Sequence, residues 1–73
     1  MKNTIKVERA KMDISQRELA RRIGVTPGTI NSIETRRFMP SVFLAFRIAT
    51  FFKVKVDDIF CLEEGEDETI FFE

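Results

Sequence analysis

Apolar residues recur along this chain in short bursts at spacings of three and four. This is the spacing of one face of an α-helix, and the bursts are punctuated by Ser, Thr, Gly and Pro. Five helical stretches follow from this pattern. The first runs from about Thr4 to Met12 behind Asn3 as N-cap, with Ile5, Arg9 and Met12 on one face. An arginine on an inward face needs a buried acidic partner or a path to solvent. The second opens at Ser15-Gln16-Arg17-Glu18, a capping box in which the serine accepts from the Glu18 amide and the carboxylate reaches back. Leu19, Ala20 and Ile23 form its inner stripe, and Gly24 ends it where a positive φ is needed.

The third helix starts at once, with Thr26 as N-cap and Pro27 at the first helical position, where a missing N–H costs nothing. Ile30 and Ile33 face inward. Pro40-Ser41 opens a fourth helix, about Val42 to Phe52, with Leu44, Ala45, Ile48, Ala49 and Phe52 on the core side. A short fifth turn spans Asp57 to Phe60, its aspartates suited to a helix N-terminus. Beyond Leu62 comes Glu-Glu-Gly-Glu-Asp-Glu, a loop composition, and then Thr69-Ile70-Phe71-Phe72, whose β-branched and aromatic residues favour a strand. The expected fold is all-α, a compact five-helix domain over residues 1–62. An acidic, Phe-ended tail over 63–73 carries a short C-terminal strand.

Charge changes this picture. The net charge is zero over 73 residues. Residues 1–37 nevertheless carry nine basic against four acidic side chains, a net of +5, and residues 38–73 carry three against eight, a net of −5. A basic half suggests a polyanion partner; two solvated surfaces would produce the same count, so charge alone does not decide. The chain lacks His, Trp and Tyr and has no Gly-rich phosphate loop or metal-spaced ligand set, so no catalytic residue, metal or cofactor is expected. No apolar run reaches the roughly 18–20 residues that span a bilayer, and no basic-then-apolar leader opens the sequence. The lone Cys61, between Phe60 and Leu62, reads as buried packing in a reducing cytoplasm.

Two helices joined only by Gly24-Val25-Thr26 must cross steeply, and the small Ala20 lets them approach. That leaves the outer face of the third helix free, with Thr29, Asn31, Ser32 and Arg36 on it. Such a helix can enter a major groove while its predecessor lies across the backbone. Here the sequence resembles the lambda repressor-like, Cro-type (XRE) helix-turn-helix family. The matching residues are Ser15-Gln16-x-x-Leu19-Ala20-x-x-Ile23-Gly24-Val25-Thr26, Thr29-Ile30-x-x-Ile33-Glu34, Pro40-Ser41 and Leu44-x-x-x-Ile48-Ala49. They span roughly residues 3–62, as in short stand-alone members.

The resemblance implies double-stranded DNA as partner and transcriptional regulation, commonly repression, as function. It implies that Gln16 meets a phosphate, that Thr26 begins the recognition helix, and that Pro27, Gly28, Thr29 and Ser32 stand where relatives read bases. It also implies that Arg9 and Glu34 form a buried pair. Arg17, Asn31, Arg36 and Arg37 complete the expected DNA-contacting set. For Gln16 the plain alternative is helix solubility, and for Arg36 and Arg37 a solvated turn. The sequence departs from the family pattern in three places. Pro27 and Gly28 offer no side-chain hydrogen bonds; Thr35-Arg36 stands where relatives often have Asn-Gly; Lys53 replaces a helix-ending glycine. All eight Phe lie beyond residue 37. Phe52 and Phe60 fit the core, whereas Phe43, with Phe46 or Phe51, falls off its stripe. Homodimerisation would cover such a patch and set two recognition helices about one DNA turn apart, roughly 34 Å; a tail folding back on its own domain would cover it too. The competing class is an antitoxin or adaptor that engages a protein partner through the tail.

Overall fold

The protein was analysed as a computed structural model that describes residues 1–65. In chain order the elements are β1 (Lys2–Asn3), α1 (Ile5–Met12), α2 (Gln16–Ile23), α3 (Pro27–Glu34), α4 (Val42–Phe52), α5 (Val56–Ile59) and β2 (Phe60–Cys61). The five helices and their order match the sequence pattern. The only strands among the described residues are β1 and β2, which pair antiparallel with Lys2 opposite Cys61 and Asn3 opposite Phe60. The strand expected at Thr69–Phe72 lies outside the described residues.

One core joins all the helices. Ile5, Leu19, Ile30, Ile33, Ile48 and Ile59 are buried at 2% exposure or less. Each such side chain stabilises the fold by about 1.5–3 kcal/mol relative to leaving it in water. Ala20 is also buried, and α2 and α3 share the most extensive helix–helix contact. The short β1–β2 ladder closes the two ends of the domain, and the Thr4 N–H donates to the Ile59 carbonyl at 3.0 Å.

Several local expectations are corrected. Asn3 is not the N-cap of α1; Thr4 holds that place without a side-chain cap. Asn3 instead accepts from the Ile5 N–H at 3.2 Å and donates through Nδ2 to the Ile33 carbonyl at 2.8 Å, stitching α1 to α3. Met12 is exposed; beyond the left-handed Asp13 (φ 55°), Ile14 packs against the core. Ser15 does accept from the Glu18 amide at 3.0 Å, but the Glu18 carboxylate turns away to Arg21 and Arg22. The last helix is Val56–Ile59, one residue earlier at each end than expected. Cys61 is exposed, not packed. The reason is the two-residue period of a strand: Phe60 points into the core, so its neighbour points out.

The inward arginine has its partner. Arg9 meets the Glu34 carboxylate edge-on, Nε to Oε2 at 2.7 Å and Nη2 to Oε1 at 3.1 Å, and donates a third bond to the Ile14 carbonyl at 3.0 Å. The two side chains are only 14% and 7% exposed. The pair fixes the last residue of α3 to α1.

The turns after α3 and α4 both need a left-handed residue, and neither has glycine. Arg36 (φ 65°) and Lys53 (φ 59°) occupy those positions. A Cβ there costs about 1–2 kcal/mol.

Two outcomes are expected in thermal or denaturant unfolding. Glu34→Ala leaves a guanidinium unpaired and costs about 3–5 kcal/mol, whereas the double change Arg9→Met with Glu34→Leu costs much less. An unchanged Tm in Glu34→Ala would contradict the role assigned to the pair. Lys53→Gly relieves the strained turn and stabilises by up to roughly 1 kcal/mol; a loss of stability would show that the lysine side chain supports the turn.

Candidate nucleic-acid interface

The turn between α2 and α3 is set by three residues. Gly24 adopts φ 89°, and the Gly24 and Val25 N–H groups both donate to the Ala20 carbonyl, at 2.8 and 3.0 Å. Thr26 then caps α3, its Oγ1 accepting from the Thr29 amide at 3.2 Å, with Pro27 following in the first helical turn. Ile30 and Ile33 pin one face of α3 in the core, so the opposite face is presented outward at a fixed angle.

On that outer face Thr26, Pro27 and Gly28 are exposed, and Thr29, Asn31 and Ser32 are half-buried. Thr26, Gly28, Thr29 and Ser32 line a shallow depression of about 360 Å³, closed on one side by Phe38. The Thr26 and Thr29 hydroxyls share a hydrogen bond at 3.0 Å. A Cβ built on Gly28 would meet only Thr26 Oγ1, at 3.8 Å. Nothing inside the domain therefore requires glycine at this position.

Gln16 is more deeply engaged than expected. Its Nε2 donates to Glu34 Oε1 at 3.1 Å and to Asn31 Oδ1 at 3.2 Å, so both amide hydrogens are spent within the domain. A four-residue chain Arg9–Glu34–Gln16–Asn31 thus ties α1, the start of α2 and the middle of α3 together. It also engages the Asn31 amide, whose Oδ1 accepts from Gln16.

Beside this network lies a second cleft, about 540 Å³, where Gln16, Asn31 and Arg36 meet Lys2 and Lys6. With Glu34 neutralised by Arg9, the cleft is cationic. Lys2 and Lys6 line this cleft although the sequence pattern did not single them out: Lys2 is placed by the β1–β2 ladder and Lys6 by α1. Phe38 was missed as well.

Arg36 and Arg37 follow α3 directly. Arg36 is exposed and contacts Glu63 at 3.4 Å, while Arg37 donates from Nε to Thr35 Oγ1 at 3.2 Å. Arg17 is exposed on the first turn of α2, away from both clefts. Arg21 and Arg22 lie further along α2 and share Glu18 at 2.6 and 2.8 Å. The hydrogen bond from Arg21, then that from Arg22, holds the Glu18 carboxyl down at about 2, well below the usual carboxylate range.

Two short helices, locked at a fixed crossing with one outer face left free, are the defining parts of a helix-turn-helix domain. The chain belongs to the helix-turn-helix family, whose pattern matches residues 5–59. It is 47% identical over 66 residues to an uncharacterised HTH-type transcriptional regulator of Methanocaldococcus jannaschii, covering 90% of this chain and all of that protein. It is 44% identical over 66 residues to an uncharacterised HTH-type transcriptional regulator of Archaeoglobus fulgidus, covering 90% of this chain and 93% of the relative. Similarity extends to the uncharacterised HTH-type transcriptional regulator YgzD of Bacillus subtilis, at 42% over 64 residues, 88% of this chain and 97% of the relative. Among the described residues no helix is long and apolar enough to cross a membrane.

Because the space around Gly28 is open, Gly28→Ala is expected to fold normally and to raise stability by as much as about 1 kcal/mol through helix propensity. A lowered Tm would reveal a packing constraint that the geometry does not contain.

Proposed function

We propose that the protein is a transcriptional regulator that binds double-stranded DNA sequence-specifically, with α3 in the major groove and α2 across the backbone. It is not an enzyme, it acts in the cytoplasm as a homodimer on paired half-sites, and repression is the expected mode. The observation that carries the reading is the outer face of α3. It is a helix pinned on three sides, by Ile30 and Ile33, by Glu34 and by Asn31, with short polar side chains facing out. Its neighbours are cationic, as a phosphate backbone demands.

The roles divide by chemistry. Thr29, Ser32 and Asn31 are the base readers, Asn31 through Nδ2, which can donate to an acceptor on a base edge. Gly28 and Pro27 have no hydrogen-bonding side chain; their smallness lets the helix sit close enough for short side chains to reach. Arg17, Arg36 and Arg37 meet phosphates, joined by Lys2 and Lys6. With its side-chain hydrogens committed, Gln16 meets a phosphate through its backbone N–H, one of the unpaired donors at the start of α2. Thr26 sits at the entry of the recognition helix.

Two measurements on the purified protein test this. Affinity for duplex DNA should fall steeply with salt; a dimer making about 6–10 phosphate contacts loses roughly 10³–10⁵ between 50 and 200 mM. Salt-insensitive binding, or none at low salt, would favour the rival reading of an antitoxin or adaptor. Gly28→Gln, Thr29→Ala and Ser32→Ala should each weaken binding to a selected operator by about 1–3 kcal/mol and leave binding to random DNA nearly unchanged. Equal losses on both DNAs would mean that these residues only position the backbone.

A further inference from the structure

The outward face of α4 is apolar to a degree that DNA binding does not use. Val42, Phe43 and Phe46 are 75%, 73% and 56% exposed. Phe43, Phe46 and Phe51 form one wall of a groove of about 330 Å³, whose other wall is the end of α2 at Arg22 and Ile23. Two arginines are held on this groove by its own rings. The Arg47 guanidinium lies 5.7 Å from the Phe43 ring centre, and that of Arg22 lies 5.8 Å from the ring of Phe51. Arg22 also reaches Glu18, but among the described residues no carboxylate pairs with Arg47. Stacking leaves the in-plane N–H edges of each guanidinium available to an acid. The groove therefore suits a segment with large apolar side chains set between carboxylates.

The chain itself carries such a segment. Beyond the described residues it reads Glu66-Asp67-Glu68-Thr69-Ile70-Phe71-Phe72-Glu73. Four acidic residues bracket Ile70, Phe71 and Phe72, and no basic residue interrupts them. We propose that the segment Glu68–Glu73 of each copy seats in the α2–α4 groove of a second copy. Ile70, Phe71 and Phe72 lie against Phe43 and Phe46, and the flanking carboxylates pair with Arg22 and Arg47. This rests on the homodimer reading above and gives it an interface.

Area favours exchange with a second copy. A buried Phe covers about 150–250 Å². Two exchanged segments with two Phe each therefore remove roughly 600–1,000 Å² on the segment side alone. The grooves contribute a comparable amount, which brings the total within the roughly 1,200–2,000 Å² of a stable interface. The exposed apolar strip also continues from Phe43 through Val42 to Met39. The arrangement is isologous, so it closes as a two-fold dimer and does not propagate.

The test is sedimentation equilibrium of the full chain beside two variants, with circular dichroism as a control for folding. Phe71→Ser with Phe72→Ser, which changes none of the described core residues, should raise the dimer dissociation constant about tenfold or more. Arg22→Glu with Arg47→Glu should do the same, and adding Glu68→Arg and Glu73→Arg to that variant should restore most of the loss. Isotope-filtered NOEs in a mixture of labelled and unlabelled full chains should connect Phe71 or Phe72 with Phe43 between copies. A dimer that persists unchanged in both variants overturns this interface and leaves the homodimer reading standing. NOEs found only within one chain overturn the exchange. A full chain that is monomeric at high concentration defeats the homodimer reading and this inference together.

Discussion

The domain is organised around one carboxylate. Glu34 is the last residue of α3, and its two oxygens receive Arg9 from α1 and Gln16 from α2. Hydrogen bonds to a charged group contribute about 1.5–3 kcal/mol each, and a charge this buried costs several kcal/mol if left alone. Removing either Arg9 or Glu34 leaves the other charge uncompensated, whereas losing the neutral Gln16 costs one hydrogen bond to a pair that stays matched. The arrangement constrains more than stability. Through Gln16 the same network reaches Asn31 in the middle of α3, whose Oδ1 it holds.

Much of this was legible in the sequence, because helix signals are local. The Ser15, Thr26 and Ser41 caps, Pro27 at the first turn and Gly24 at the stop all depend on near neighbours, and each stands where the pattern put it. The inward arginine was a visible anomaly, and its resemblance-implied partner Glu34 is the one found. What was not legible depends on long-range contact. The β1–β2 pairing joins residues some sixty apart, and four residues are too few for an alternating pattern to show. The place of Lys2 in the cationic cleft follows from that pairing, as does the exposure of Cys61. Gln16 was placed correctly on α2, but its engagement with Glu34 and Asn31 needed coordinates.

Two departures from the family pattern acquire physical content. Arg36 and Lys53 bear left-handed backbone where glycine would be free of strain, and the large core tolerates the cost. At Arg36 the substitution also places a cation directly after α3. Its contact with Glu63 is long and exposed, worth about 0–1 kcal/mol, so a phosphate can displace it at little expense. At Gly28 the reverse holds: a glycine stands where the described domain has room for a side chain, so no packing constraint within it calls for one. The Phe-lined groove shares no lining residue with the two clefts along α3, so the proposed DNA contacts and the proposed self-association draw on different side chains.

The claim on which the account turns is that the outer face of α3 is the surface that meets DNA. Amide chemical-shift mapping during titration of the labelled full chain with a duplex tests it directly. The account predicts that the largest changes fall on residues 26–37, with Lys2, Lys6 and Gln16 beside them, and that the groove around Phe43 and Phe51 stays quiet. Changes centred on the α4 groove, with α3 unmoved, would contradict it.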